Sequence, residues 1–202
     1  MVNALNDCIC FCKIFKALLP RTSVAGAREQ RLNMQIETIL SRRKEIIINQ
    51  WIDLVISSYA PDTAQFIKSR KDRFANPIGS KITFGLTGLF EQLLADTNEE
   101  EVRKYLDPVV RIRAVQQFTA SEAIAFVLAL KSILEKNLKL ELRDSQTAGA
   151  YRAFASKIDA MSLVAFDIYM ECREKLYQLK TDTEKDKIYK AFERAGLIEQ
   201  DP

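Results

Sequence analysis

The sequence predicts an all-α protein, and three observations carry that prediction. From Met34 almost to the carboxyl terminus the apolar residues recur with the 3.6-residue period of a helix. Helix-start signals punctuate that pattern, while six Gly and five Pro in 202 residues leave few other breaks. A seven-residue apolar repeat then runs through the last long segment.

The first helix is expected from Met34 to just before Pro61, with Ile36, Ile39, Leu40, Ile47, Trp51, Leu54, Val55 and Ser58 on one face. Asp62 can cap a short second helix through Phe66 to about Lys71, and Arg73 to Asn76 forms a loop. Asn76 followed by Pro77 places a capping side chain before a residue suited to the first helical turn. The helix that follows carries Ile78, Ile82, Leu86, Leu89, Phe90 and Leu93.

Gly85 and Gly88 lie inside that third helix, where each costs about 1 kcal/mol relative to Ala. Close helix packing would compensate. Room for a small ligand, in a pocket formed with Phe90 and Phe126, is the functional alternative.

Asn98 and the carboxylates Glu99, Glu100 and Glu101 mark another helix start, matched to the positive end of the helix dipole. Asp107 before Pro108 is expected to cap a further helix, with Val109, Ile112 and Val115 on one face. Arg111 and Arg113 then point elsewhere, as solvated or ion-paired side chains or as an anion or partner contact. Thr119-Ala120-Ser121-Glu122 is a capping box. It opens an apolar helix with Ile124, Val127, Leu128, Lys131, Leu134 and Leu138 on its stripe, widened by Phe126, Leu130 and Ile133.

In the last long helix Tyr151, Phe154, Ile158, Met161, Ala165, Ile168, Cys172, Lys175 and Leu179 alternate at spacings of three and four. Such a repeat suits a bundle core or a two-helix dimer seam. With Leu163, Val164 and Phe166 off the repeat, the helix is expected to be buried in its own domain on one side and paired with a second protomer on the other. Lys180 to Lys187 reads as a hinge, and Thr181-Asp182-Thr183-Glu184 as a capping box restarting a short tail helix that stops at Gly196.

The first 33 residues differ from the rest. Cys8, Cys10 and Cys12 fall in a greasy run ended by Pro20, too poor in ligands for a metal site. The segment lacks the positive start of a signal peptide, and a short membrane-surface anchor is an alternative. It reads best as a flexible or leader segment ahead of a start at Met34, so the expected division is 1–33, a domain over 34–180, and the hinge and tail over 181–202.

The chain contains no histidine, which removes His-ligated haem and every Ser-His-Asp or Cys-His site. No catalytic residues, metal ligands or cofactor are assigned. A net charge of +3 is far from the concentrated basic surface of a nucleic-acid binder. No apolar run approaches the roughly 20 residues that span a bilayer, and a cytoplasmic location is expected.

Trp51, Arg73-Phe74-Ala75-Asn76-Pro77-Ile78-Gly79, Leu106 to Gln116 and Phe118-Thr119-Ala120-Ser121-Glu122-Ala123 together resemble the amino-terminal sensor domain of the RsbR/RsbRD stressosome co-antagonists. The match runs from about Met34 to Leu179. The resemblance implies a globin-like bundle without haem, a homodimer formed partly through the last helix, and a signal passed along that helix to a protein partner of a regulatory or redox complex. In that family a STAS domain follows; too few residues remain after Leu179 for one, so a stand-alone version is expected. A carrier that holds an apolar ligand between helices is the alternative.

Overall fold

The computed structural model describes residues 27–69, 75–95, 98–116 and 118–197. They form seven α-helices and one 3-10 turn, with no strand among them: α1 (Ala27–Arg42), α2 (Lys44–Ser57), α3 (Pro61–Ser69), α4 (Pro77–Leu94), α5 (Glu99–Val115), α6 (Ala120–Asn137), the turn Glu141–Arg143, and α7 (Ser145–Arg194). The protein is all-α, and its last helix is the longest. Most of the segment expected to be a leader, and with it Cys8, Cys10 and Cys12, lies outside the described residues. The α1 backbone is already helical seven residues before Met34.

The caps expected at Asn76, Asn98 and Thr119 form, whereas Asp62 lies in the first turn of α3, which already begins at Pro61. Asn76 accepts from the Gly79 amide at 2.9 Å, and its amide also donates to the Ile67 carbonyl at 2.7 Å, which ties the end of α3 to the start of α4. Asn98 accepts from Glu101 N at 2.8 Å, and Thr119 and Glu122 complete the capping box of α6. Asp144 caps α7 through Thr147 N at 2.8 Å.

Four expectations change. The long first helix is two helices, bent at Arg43, whose guanidinium reaches the Asn137 carbonyl and Glu141 Oε1 and so draws the backbone toward the end of α6. Pro108 lies inside α5 and Asp107 caps nothing; its carboxylate accepts from Arg111 Nε at 2.7 Å. An internal proline costs a helix about 3 kcal/mol, which the full burial of Leu106, Val109 and Val110 against α4 and α7 offsets. Leu128, expected on the buried stripe of α6, is exposed, and that stripe is centred instead on Phe126, Val127 and Leu130.

The fourth change is at the hinge. Helix α7 runs without a break through Lys180–Lys187, and the Thr183 hydroxyl bonds the Leu179 carbonyl at 2.7 Å within the helix instead of capping a new one. No Gly or Pro lies there to force the backbone out of the helical well, and capping side chains alone do not. The expected stop is found: Gly196 has φ 66° directly after the last turn.

The core lies where α7 packs between α5 and α6, with α4 beyond α5, α2 against α4 and α6, and α1 along α7. Gly85 and Gly88 allow α4 to close on α5. A Cβ on Gly85 would stand 2.5 Å from Val109 Cγ2 and 2.7 Å from the Tyr105 carbonyl oxygen; the nearest atoms to one on Gly88 would be those of the half-buried Tyr105 ring. Overpacking costs about 1–3 kcal/mol against a propensity gain of about 1 kcal/mol. Gly85→Ala is therefore expected to lower the unfolding free energy by about 1 kcal/mol in urea titrations. Gly88→Ala, where the ring can swing outward, should cost less, and the reverse order would contradict this account.

Candidate functional site

Two features stand out above the core: a buried arginine where three helix ends converge, and an apolar stripe on the outside of α7. Arg113 is on the last turn of α5, in line with Val102, Leu106, Val109 and Val110, and is only 2% exposed. Its guanidinium donates to Ser58 Oγ at 3.0 Å, at the end of α2, and to the Glu122 carbonyl at 3.1 Å, in the first turn of α6.

Aromatic rings complete the enclosure. The guanidinium carbon lies 4.3 Å from the Phe118 ring centre, 5.4 Å from that of Tyr59 and 5.6 Å from that of Phe126. Tyr59 meets Phe118 edge-on at 5.4 Å, Tyr169 donates to the Phe118 carbonyl at 2.7 Å, and Trp51 donates to that of Phe126 at 2.7 Å. Burial pulls the Arg113 pKa below its usual range and pushes that of Tyr59 up, the neighbouring Arg113 charge opposing the second shift. Neither Arg113 Nε nor the Tyr59 hydroxyl makes a hydrogen bond of good geometry, and both are sealed from solvent. The cation is thus held by neutral oxygens and ring faces without a bonded carboxylate, an arrangement that joins α2, α5 and α6.

The expected pair of arginines therefore splits. Arg111 is the surface member, paired with Asp107, and Arg113 is a core residue rather than one that points away from the buried face. The spacing Leu106, Val109, Val110, Arg113 is the signal that places it inward.

Of the expected pocket residues, Gly85, Gly88 and Phe90 lie on α4 and Phe126 lies on α6. The spaces left by Gly85 and Gly88 are bordered closely by Val109 and Tyr105, Phe90 is fully buried, and Phe126 packs on Trp51. Gly88 also borders an open groove of about 940 Å³ between α2 and α4, with Ile52, Thr83 and Phe84. Among the described residues no group of three or more Cys, Asp or Glu side chains is placed to hold a metal ion.

The expected dimer seam is a core stripe. Tyr151, Phe154, Ile158, Met161, Ala165, Ile168 and Cys172 are all buried within the chain itself, where they fill the space between α5 and α6, so a second protomer cannot reach them. The last two positions of the repeat, Lys175 and Leu179, are exposed. A second apolar row lies on the opposite face: Leu163, Phe166, Met170, Tyr177, Ile188 and Phe192, between 38% and 56% exposed. From Tyr177 to Phe192 every residue of α7 is exposed, so the helix leaves the body as an arm.

The sequence matches a known family. The family model of the RsbT co-antagonist protein rsbRD N-terminal domain matches residues 45–182. The chain belongs to this family. The rsbRD N-terminal match begins inside α2 and ends on the arm of α7, so it takes in the whole Arg113 enclosure. Helix α1 lies outside it, although Ile36 and Leu40 are part of the core. An uncharacterized protein of Archaeoglobus fulgidus is 23% identical over 142 residues, which cover 70% of this chain and 83% of that protein. No solved structure matches the chain. No described helix is long and apolar enough to cross a membrane.

If Arg113 acts as a clasp of two hydrogen bonds and stacked rings, Arg113→Lys should destabilise more than Arg113→Met. Lysine keeps the buried charge but loses the planar fork, at an expected cost of about 2–3 kcal/mol. Methionine removes the charge and keeps much of the volume, at about 1–2 kcal/mol. Thermal and urea unfolding of both variants measure the order, and a less stable Met variant would refute the account.

Proposed function

We propose that this member of the rsbRD N-terminal family is a non-catalytic regulatory protein. It receives a signal in a globin-like helical body without haem, and passes it through α7 to a protein partner. The observation that carries this reading is the double use of α7: one face is the centre of the core, and the other bears the exposed row that continues along the arm. Any shift of α5 or α6 must move α7, because their buried side chains interlock and close-packed interiors transmit displacement.

The outer row is the surface on which the chain forms a homodimer, in place of the repeat that the core consumes. Six large apolar side chains in line are more than scattered surface hydrophobics require. The arm also gains its stability from a partner, because an isolated helix of this length is marginal in water.

Size-exclusion chromatography with light scattering on the full chain is expected to give the mass of a dimer. Tyr177→Asp combined with Ile188→Asp removes two apolar contacts worth about 1.5–3 kcal/mol each from each protomer. The dimer Kd should rise by at least about 100-fold, while the thermal unfolding of the body stays unchanged. A wild-type monomer, or a double variant that dimerises as the wild type does, would overturn the reading.

A further inference from the structure

We infer that the corner where α6 turns into α7 binds a small organic phosphate monoester, its phosphate held by Lys139, Arg143 and Arg152 and its apolar body lying on Leu142 and Ala148. This rests on the reading of the helical body as the part that receives a signal, and gives that signal a place and a chemical class.

Three consecutive pieces of chain build the cleft, which has a volume of about 620 Å³. Glu135 and Lys139 come from the end of α6 and just beyond it, Leu142 and Arg143 from the 3-10 turn, and Ala148 and Arg152 from the first turns of α7. Its frame is fixed. Glu141 in the turn accepts from Arg43, and Asp144 accepts from the amide and the hydroxyl of Thr147, both at 2.8 Å. The floor is apolar, because Leu142 packs against the core and the buried Tyr151 turns its hydroxyl to the Lys131 carbonyl at 3.1 Å.

Charge identifies the occupant. Lys139, Arg143 and Arg152 are exposed, and among the described residues none of the three side chains is ion-paired or hydrogen-bonded. The carboxylates of Glu141 and Asp144 are engaged by Arg43 and Thr147, so three cations against Glu135 leave the lining with an excess of two positive charges. A phosphate monoester carries about −1.5 to −2 at neutral pH, which matches that excess, whereas a carboxylate carries one charge. Guanidinium forks also fit phosphate oxygens in bidentate pairs. The larger groove between α2 and α4 has the opposite balance, Asp53 and Glu91 against Lys68. The volume suits a small molecule with a phosphate at one end, since such sites run to roughly 300–1,000 Å³ and are mostly apolar. A ligand held at once by the end of α6, the turn and the start of α7 draws these pieces together, at one end of the interface on which the position of α7 depends.

Isothermal titration calorimetry on the full chain, at neutral pH and physiological salt, tests the site with phenyl phosphate as the probe. Benzoate, inorganic phosphate and phosphatidic acid vesicles are the comparisons. Phenyl phosphate is expected to bind at least about tenfold more tightly than benzoate, which lacks the second charge, or inorganic phosphate, which lacks the apolar body. Arg143→Gln and Arg152→Gln should each weaken it by about tenfold. Lys81→Gln, an exposed cation on α4, should leave it unchanged, and all three variants should unfold thermally as the wild type does. Absence of phenyl phosphate binding, equal binding of benzoate or inorganic phosphate, or an equal loss in Lys81→Gln would overturn the site. Binding to the vesicles without binding to phenyl phosphate would assign the cations to a membrane headgroup and overturn the soluble ligand. Each of these results leaves the dimer mass untouched, and a monomer that still binds phenyl phosphate through Arg143 and Arg152 would overturn the outer row of α7 alone.

Discussion

The interlocking of α7 with α5 and α6 is the constraint on which the rest of the molecule depends. Ile158, Ala160, Val164, Ala165 and Ile168 are fully buried there, and Val102, Leu106, Val109, Val110 and Leu130 meet the same core from the other two helices. The small side chains Ala160 and Ala165 let the helices approach, as Gly85 does between α4 and α5. Burial of this kind stabilises by roughly 25 cal/mol for each Å² of apolar surface removed from water. It explains how α5 tolerates Pro108 in its interior: local propensity is outweighed by two flanks of tertiary contact.

The Arg113 enclosure follows from the same geometry. Once α5 is wedged between α4 and α7, its last turn comes to rest under the α5–α6 connection, and the side chain that would be solvated on an isolated helix is covered by Phe118, Tyr59 and Phe126. Desolvating a guanidinium is costly. The two hydrogen bonds, to Ser58 and the Glu122 carbonyl, together with the ring faces, offset that cost, and they hold only while the three helix ends stay in register. A cation held without a bonded carboxylate makes this junction sensitive to movement of α5, which is also the helix in longest contact with α7.

Among the described residues no cluster of metal-ligating side chains is found, and the longest row of exposed apolar side chains lies on α7. The outer row of α7 runs from the body onto the arm. A regulatory surface of this kind needs no special side-chain chemistry, only rigidity and a direction. The chain without histidine therefore loses nothing that such a role requires.

The helices, their capping residues and the family were legible in the sequence, because caps and apolar periodicity act over three or four residues and leave a local trace. Asn76, Asn98 and Thr119 each cap the helix that they were expected to start. The bend at Arg43, the inward Arg113 and the destination of the seven-residue repeat of α7 were decided by tertiary packing, whereas α7 continues past Thr181 because no Gly or Pro there breaks it. An apolar repeat records that a face is buried, but it does not record whether the burying surface comes from the same chain or from another. That question is settled by which helices stand beside it, and here α5 and α6 fill the inner face of α7 within the body and leave its outer row exposed.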